Sequence, residues 1–180
     1  MGLKLPATGE LLSVDVIDGR DALAAAKKIL GRKSAEHGMS TWDASGIFFE
    51  MNHSEVGDKP SARTLLLLYA ADLFFRLRWE IIPALQEGKR VVAVPYIETG
   101  FALGTAVGLP NKWLSDVFRF APLASQSFRV NGAASPKLGA ATSGFVEFCS
   151  HILNQDFRPQ VMAYFDNPKF LTIPDLHHIR

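Results

Sequence analysis

The chain has 180 residues, 48% hydrophobic and 21% charged, which suits one domain spanning 1–180 with a sizeable core. Nineteen Lys and Arg against 18 Asp and Glu leave a net charge of +1, too even for general binding to nucleic acid or to an anionic membrane. The single cysteine, Cys149, excludes an intrachain disulfide and is expected to fill core space rather than to hold metal.

The start, MGLKLPATGE, lacks the basic and apolar regions of a signal peptide. The longest apolar run, 65–77, is broken by Asp72 and ends at Arg76 and Arg78, short of the roughly 20 residues of a membrane helix. A cytoplasmic protein is therefore expected. Leu11–Ile17 reads as a buried first strand, and Asp21 as the cap of a helix over Ala22–Leu30 that stops at Gly31. Gly38–Asp43 is a weaker strand, and Gly46–His53 fits either a short helix or a strand. Pro60 and Ser61 start a long helix that is apolar almost all round, with Leu65, Leu68, Tyr69, Asp72, Phe75 and Arg76 on one face. Arg90–Ile97 is the clearest strand, with Pro95 expected at its carboxyl end because proline has no ladder donor. Gly100, Gly104 and Gly108 put small residues on one helical face for close packing. Pro110–Phe120 reads as a helix, Gln126–Val130 as a fourth strand and Ala133–Ser143 as a loop. Phe145–Leu153 and Phe157–Phe165 carry helical spacing, the second with a kink expected at Pro159, and Phe170–Ile173 is a short final strand. This alternation predicts an α/β fold, a three-layer α/β/α arrangement on a mainly parallel sheet of about five strands.

The stretch Leu65–Tyr96, LLLLYAADLFFRLRWEIIPALQEGKRVVAVPY, resembles without a gap the middle of the thymidylate kinases, a phosphate-loop family. Tyr69 stands at the position of the family's base-stacking aromatic, and Ala70, Ala71, Asp72, Ile81, Pro83, Ala84, Leu85, Gly88, Val91, Val92 and Tyr96 fit its pattern. Leu73 replaces the helix arginine that would hold phosphate, and Val94 and Pro95 replace the catalytic Asp-Arg pair. In the segment 15–23, where the resemblance implies the phosphate loop, only Asp18 and Gly19 match, followed by Arg20 and Asp21. Ala22 and Leu23 occupy the places of the phosphate-binding lysine and the magnesium-binding hydroxyl. A carboxylate such as Asp21 at a helix start satisfies the same N–H groups an anion would. The lid, a shortened segment near 131–144, retains Lys137 as the one Lys or Arg between Asn131 and Asp156, so the arginines that the resemblance implies over a transferring phosphoryl group are missing.

The residues therefore fit a thymidylate kinase-like protein without the kinase chemistry, acting through protein contacts, with no catalytic residue, metal or cofactor expected. The alternatives are a module binding a nucleoside or other small molecule, and an active nucleoside monophosphate kinase with replaced machinery. The candidate ligand pocket is Tyr69, Asp72, Arg76, Tyr96 and Glu98. Aromatics at helical spacing more often serve the core, Asp72 with Arg76 one turn on reads as a structural pair, and Glu98 fits a surface position equally well. A homodimer through the 65–82 helix is expected, because Leu73, Phe74, Phe75 and Trp79 exceed what one core absorbs from one helix. The resembled kinases dimerise through helices that include this one.

Overall fold

The computed structural model describes residues 9–15, 19–31, 37–53, 57–130 and 144–173. Among the described residues, five strands form one parallel sheet in the order β2-β3-β1-β4-β5. They are β1 (Glu10–Asp15), β2 (Gly38–Thr41), β3 (Arg90–Val94), β4 (Gln126–Val130) and β5 (Leu171–Ile173). The order reverses at β1, whose neighbours are β3 and β4. In open α/β sheets such a switch point leaves a crevice beyond the carboxyl ends of the strands.

Strand periodicity sorts the core into two layers, as a doubly covered sheet requires. Leu12, Val14, Val92 and Val94 pack under α1 (Gly19–Leu30) with Ala25, Ala26 and Leu30. Leu11, Val91 and Ala93 face the opposite way, into a larger core shared with α2 (Ile47–His53), α3 (Ala62–Arg76), α5 (Ile97–Ala106), α6 (Asn111–Phe118), α7 (Phe145–Leu153) and α8 (Arg158–Phe165). Asp15 shares the parity of Leu11, so the end of β1 presents a carboxylate to the larger layer. The open choice at 46–53 resolves as helix: Asp43, at φ 58°, turns the chain, and its carboxylate accepts from the N–H groups of Phe48 and Phe49 in the first turn of α2.

Several sequence expectations shift. α1 begins at Gly19, which puts Asp21 inside the first turn rather than at the cap. On α3 the buried face carries Leu65, Leu66, Tyr69, Ala70, Asp72, Leu73 and Arg76, whereas Phe75 is exposed. A helix apolar nearly all round has no sequence-encoded phase, so spacing alone misplaced Phe75. Leu73 likewise belongs to the core and leaves the expected outer patch. α3 continues as a π turn, Leu77–Ile81, where the Ile82 N–H reaches back five residues to Leu77 O, and then as α4 (Ile82–Gln86). Pro159 lies in the first turn of α8, where its missing N–H costs nothing, and kinks no helix. The break before it is made by Asn154 in the left-handed conformation. The expected loop at 133–143 and the residues 174–180 lie outside the described residues.

Of the three spaced glycines, Gly100 and Gly104 lie on α5, while Gly108 follows the helix at φ 77°. A Cβ on Gly100 would collide with the Phe118 ring, which is buried and held edge-on against Tyr69. Gly100→Ala gains up to about 1 kcal/mol of helix propensity but overpacks a rigid ring at about 1–3 kcal/mol. A net loss on the order of 1 kcal/mol is expected in urea unfolding. An unchanged or higher midpoint would contradict this packing.

Candidate functional site

The switch point is built from the ends of β1 and β3, the last turns of α3 and the start of α5. Tyr96, in extended conformation, precedes α5 and offers no side-chain cap to it. The cap comes from another strand. Asp15 Oδ1 accepts from Tyr96 N at 3.1 Å, Thr99 N at 2.9 Å and Thr99 Oγ1 at 2.7 Å. A carboxylate of the chain thus occupies the positive end of α5, the kind of place a bound anion takes in other proteins. Asp15 is 1% exposed, and its Oδ2 has no hydrogen-bond partner. Burial raises its pKa from the usual 3.8 to about 6, against the lowering effect of the Thr99 hydroxyl and the two N–H donors.

Beside it, α3 contributes a buried ion pair. Asp72 Oδ2 and Arg76 Nε lie 3.1 Å apart, both side chains fully buried, off the line of a good hydrogen bond. Arg76 Nη1 donates to Pro95 O at 2.9 Å. Asp72 in turn accepts from Asp43 N, Ser45 N and Ser45 Oγ, at 3.0, 3.0 and 2.8 Å. One i,i+4 pair therefore holds the end of β3 and the turn after β2 against α3.

Tyr69 and Tyr96 complete the buried layer. Tyr69 donates to Tyr96 O at 2.7 Å, and Tyr96 donates to Pro122 O at 2.6 Å. The Tyr69 ring is stacked on Phe145, the first residue of α7, with centroids 4.2 Å apart and planes at 19°. Tyr69 is 0% exposed. Glu98 turns the other way. Its Oε2 accepts from Tyr164 Oη at 2.5 Å and Lys169 Nζ at 3.1 Å, at the rim formed with α8.

The structure thus brings Tyr69, Asp72, Arg76 and Tyr96 into one core network and puts Glu98 at its edge. Asp18 lies outside the described residues, and Gly19, Arg20 and Asp21 are placed by backbone alone in the first turn of α1. Sequence reasoning missed Thr99 and Phe145 as parts of this site. Thr99, in the first turn of the helix that follows β3, carried a signal; Phe145 carried none. Among the described residues no group of three or more His, Cys, Asp or Glu is placed to hold a metal ion, and no helix is long and apolar enough to cross a membrane.

Comparison of the whole architecture with solved structures is decisive for the fold. The thymidylate kinase of Ehrlichia chaffeensis superposes with a TM-score of 0.66 at 13% identity, over 96% of this chain and 93% of that one. The fold is that of the thymidylate kinases. The Candida albicans thymidylate kinase gives 0.64 at 16% identity, over 92% and 83% of the two chains. In sequence, a probable thymidylate kinase of Pyrococcus horikoshii is 41% identical over 66 residues, 37% of this chain and 32% of the relative. That of Pyrococcus abyssi is 36% identical with the same coverage. The matched stretch spans about a third of the length of these curated relatives. No family model matches.

In this thymidylate kinase-like chain, Asp15 generates a testable pH effect. Its folded pKa of about 6 lies above the unfolded value, so its stabilising proton is fully held below about pH 4 and the contribution is lost as pH rises through 6. Asp15→Asn keeps an acceptor for Thr99 and Tyr96 but cannot ionise. At about 1.4 kcal/mol per pH unit, the difference in unfolding free energy should move in favour of Asn by up to about 3 kcal/mol between pH 4 and 7. A difference that stays constant across this range would show that Asp15 does not titrate there.

Proposed function

We propose that this is a non-catalytic thymidylate kinase-like protein, a pseudoenzyme that acts through protein contacts, with a second copy of itself as the first partner. The reading is carried by one observation: the polar groups at the strand ends are engaged inside the molecule. Asp15 caps α5, Arg76 is bound to Pro95 O and Asp72, and Tyr69 is stacked on Phe145. It is supported by Ala22, Leu23, Val94 and Pro95 at positions where the resembled kinases carry lysine, a hydroxyl and the Asp-Arg pair. The nucleoside-binding alternative has Tyr69 as its platform, and that ring already has a neighbour on its face.

The proposed partner surface is the outer side of α3 and its π turn. Leu67, Phe74, Phe75 and Trp79 are exposed there by 50%, 54%, 38% and 62%. Phe120 extends the patch, edge-on to Phe74 at 5.6 Å. Apolar surface of this extent on one element suits burial against an identical face.

Two measurements test the reading. A ligand bound only by the native state adds about 2.7 kcal/mol at a hundredfold excess over Kd, so millimolar ATP with magnesium should leave the melting curve unmoved and dTMP should yield no dTDP. A magnesium-dependent rise in Tm, or steady turnover, would restore the kinase reading. Sedimentation at micromolar concentration should give a dimer that Phe75→Glu with Trp79→Glu converts to monomer. A wild-type monomer would remove α3 as the interface.

A further inference from the structure

A cavity of about 320 Å³ adjoins the switch point on the far side of Phe145, between the turn after β2, α2 and α7. This is within the size range of small-molecule sites, roughly 300–1,000 Å³. Four rings wall it: Trp42, Phe48, Phe49 and Phe148. Phe48 and Phe148 are buried and form the floor, packed edge-on at 5.3 Å, while Phe49 is 54% exposed at the rim. Trp42 is tilted against Phe48 at 5.1 Å and stands edge-on to Phe148 at 6.1 Å.

The polar lining is one-sided. Asp43, Asn52 and His53 contribute to the wall, and none of the described lining residues is Lys or Arg. Each Asp43 oxygen accepts one backbone N–H, from Phe48 or Phe49, leaving acceptor capacity on a carboxylate that has about four such sites. Partial burial holds the carboxyl above its usual pKa, with smaller contributions from Asp72 and Glu50 and against the lowering effect of the Phe48 and Phe49 N–H groups. His53 Nδ1 lies 2.7 Å from Phe49 O, a carbonyl that can only accept, so Nδ1 carries a proton and the ring is held against the last turn of α2. Aromatic faces and a carboxylate favour a positive charge, and a phosphate would meet no cationic partner among the described lining residues.

We propose that this cavity binds a small organic cation, a primary or secondary ammonium carried on an apolar or aromatic body. The body fills the space between Trp42, Phe48 and Phe148. The ammonium faces Asp43, with Phe49 closing over it from the rim. The site stands whether or not α3 forms a dimer, because its walls come from α2, α7 and the turn after β2.

Three probes of one shape test it by calorimetry on the full chain at neutral pH: 2-phenylethylammonium, 2-phenylethanol and 3-phenylpropanoate. The ammonium should bind saturably, about tenfold tighter than the alcohol, with the carboxylate weakest. Asp43→Asn preserves a helix-capping side chain that tolerates positive φ, and should bring the ammonium down to the level of the alcohol. Phe49→Ala, at an exposed position, should weaken the ammonium and the alcohol alike. No saturation by the ammonium at millimolar concentration would overturn the proposal, as would equal binding of alcohol and ammonium by the wild type. Ammonium binding unchanged in both variants would place any site elsewhere and overturn it equally.

Discussion

The Asp72–Arg76 pair is the constraint on which the rest of the structure depends. Two charges with no exposure are expensive to bury, and their mutual attraction offsets the desolvation only if the remaining donors and acceptors find partners. Most do. Pro95 O takes one Arg76 nitrogen, while Asp43 N, Ser45 N and Ser45 Oγ take the carboxylate. Removing one member of such a pair typically costs about 3–5 kcal/mol because the other stays charged and buried. The pair also acts at one remove. By holding Asp43 N, Asp72 orients the residue whose own carboxylate starts α2, and α2 in turn carries Phe48, Phe49 and His53 to the aromatic cavity.

The carboxyl ends of the strands show the same economy of partners. A helix start, a strand end and an aromatic face are the three features that an α/β switch point usually offers to a ligand. Here each is occupied by a residue of the chain: Asp15 at the start of α5, Arg76 at Pro95, and Phe145 on Tyr69. Asp15 nevertheless leaves Oδ2 unpartnered in a fully buried position, so this internal cap is imperfect and keeps a proton more readily than a free carboxyl does.

The outer side of α3 follows from the inner. Tyr69, Asp72, Leu73 and Arg76 must face the core to reach their partners, which turns Leu67, Phe74 and Phe75 outward. The π turn at Leu77–Ile81 adds one residue to the repeat. Trp79 stays outside with the Arg78 guanidinium over its ring at 5.2 Å, while Leu77 and Ile81 return to the core. Internal charge pairing and external apolar exposure are thus two sides of one helix.

Local chemistry determined most of the element order. The strands at 10–15 and 90–94 and the helix opened by Ser61 were all legible, because periodicity, capping and turn residues act within a few positions of one another. The Asp72–Arg76 pair was legible for the same reason, being one helical turn apart. What only the tertiary structure decided is the phase of α3, whose apolar residues run nearly all round, and every contact across the sheet. Thr99 meets Asp15 from 84 positions away, and Phe145 reaches Tyr69 from a different helix. The rings of the cavity come from three separate elements. Such contacts are selected by how strands and helices close together in space, and no spacing within one segment encodes which distant side chain will arrive.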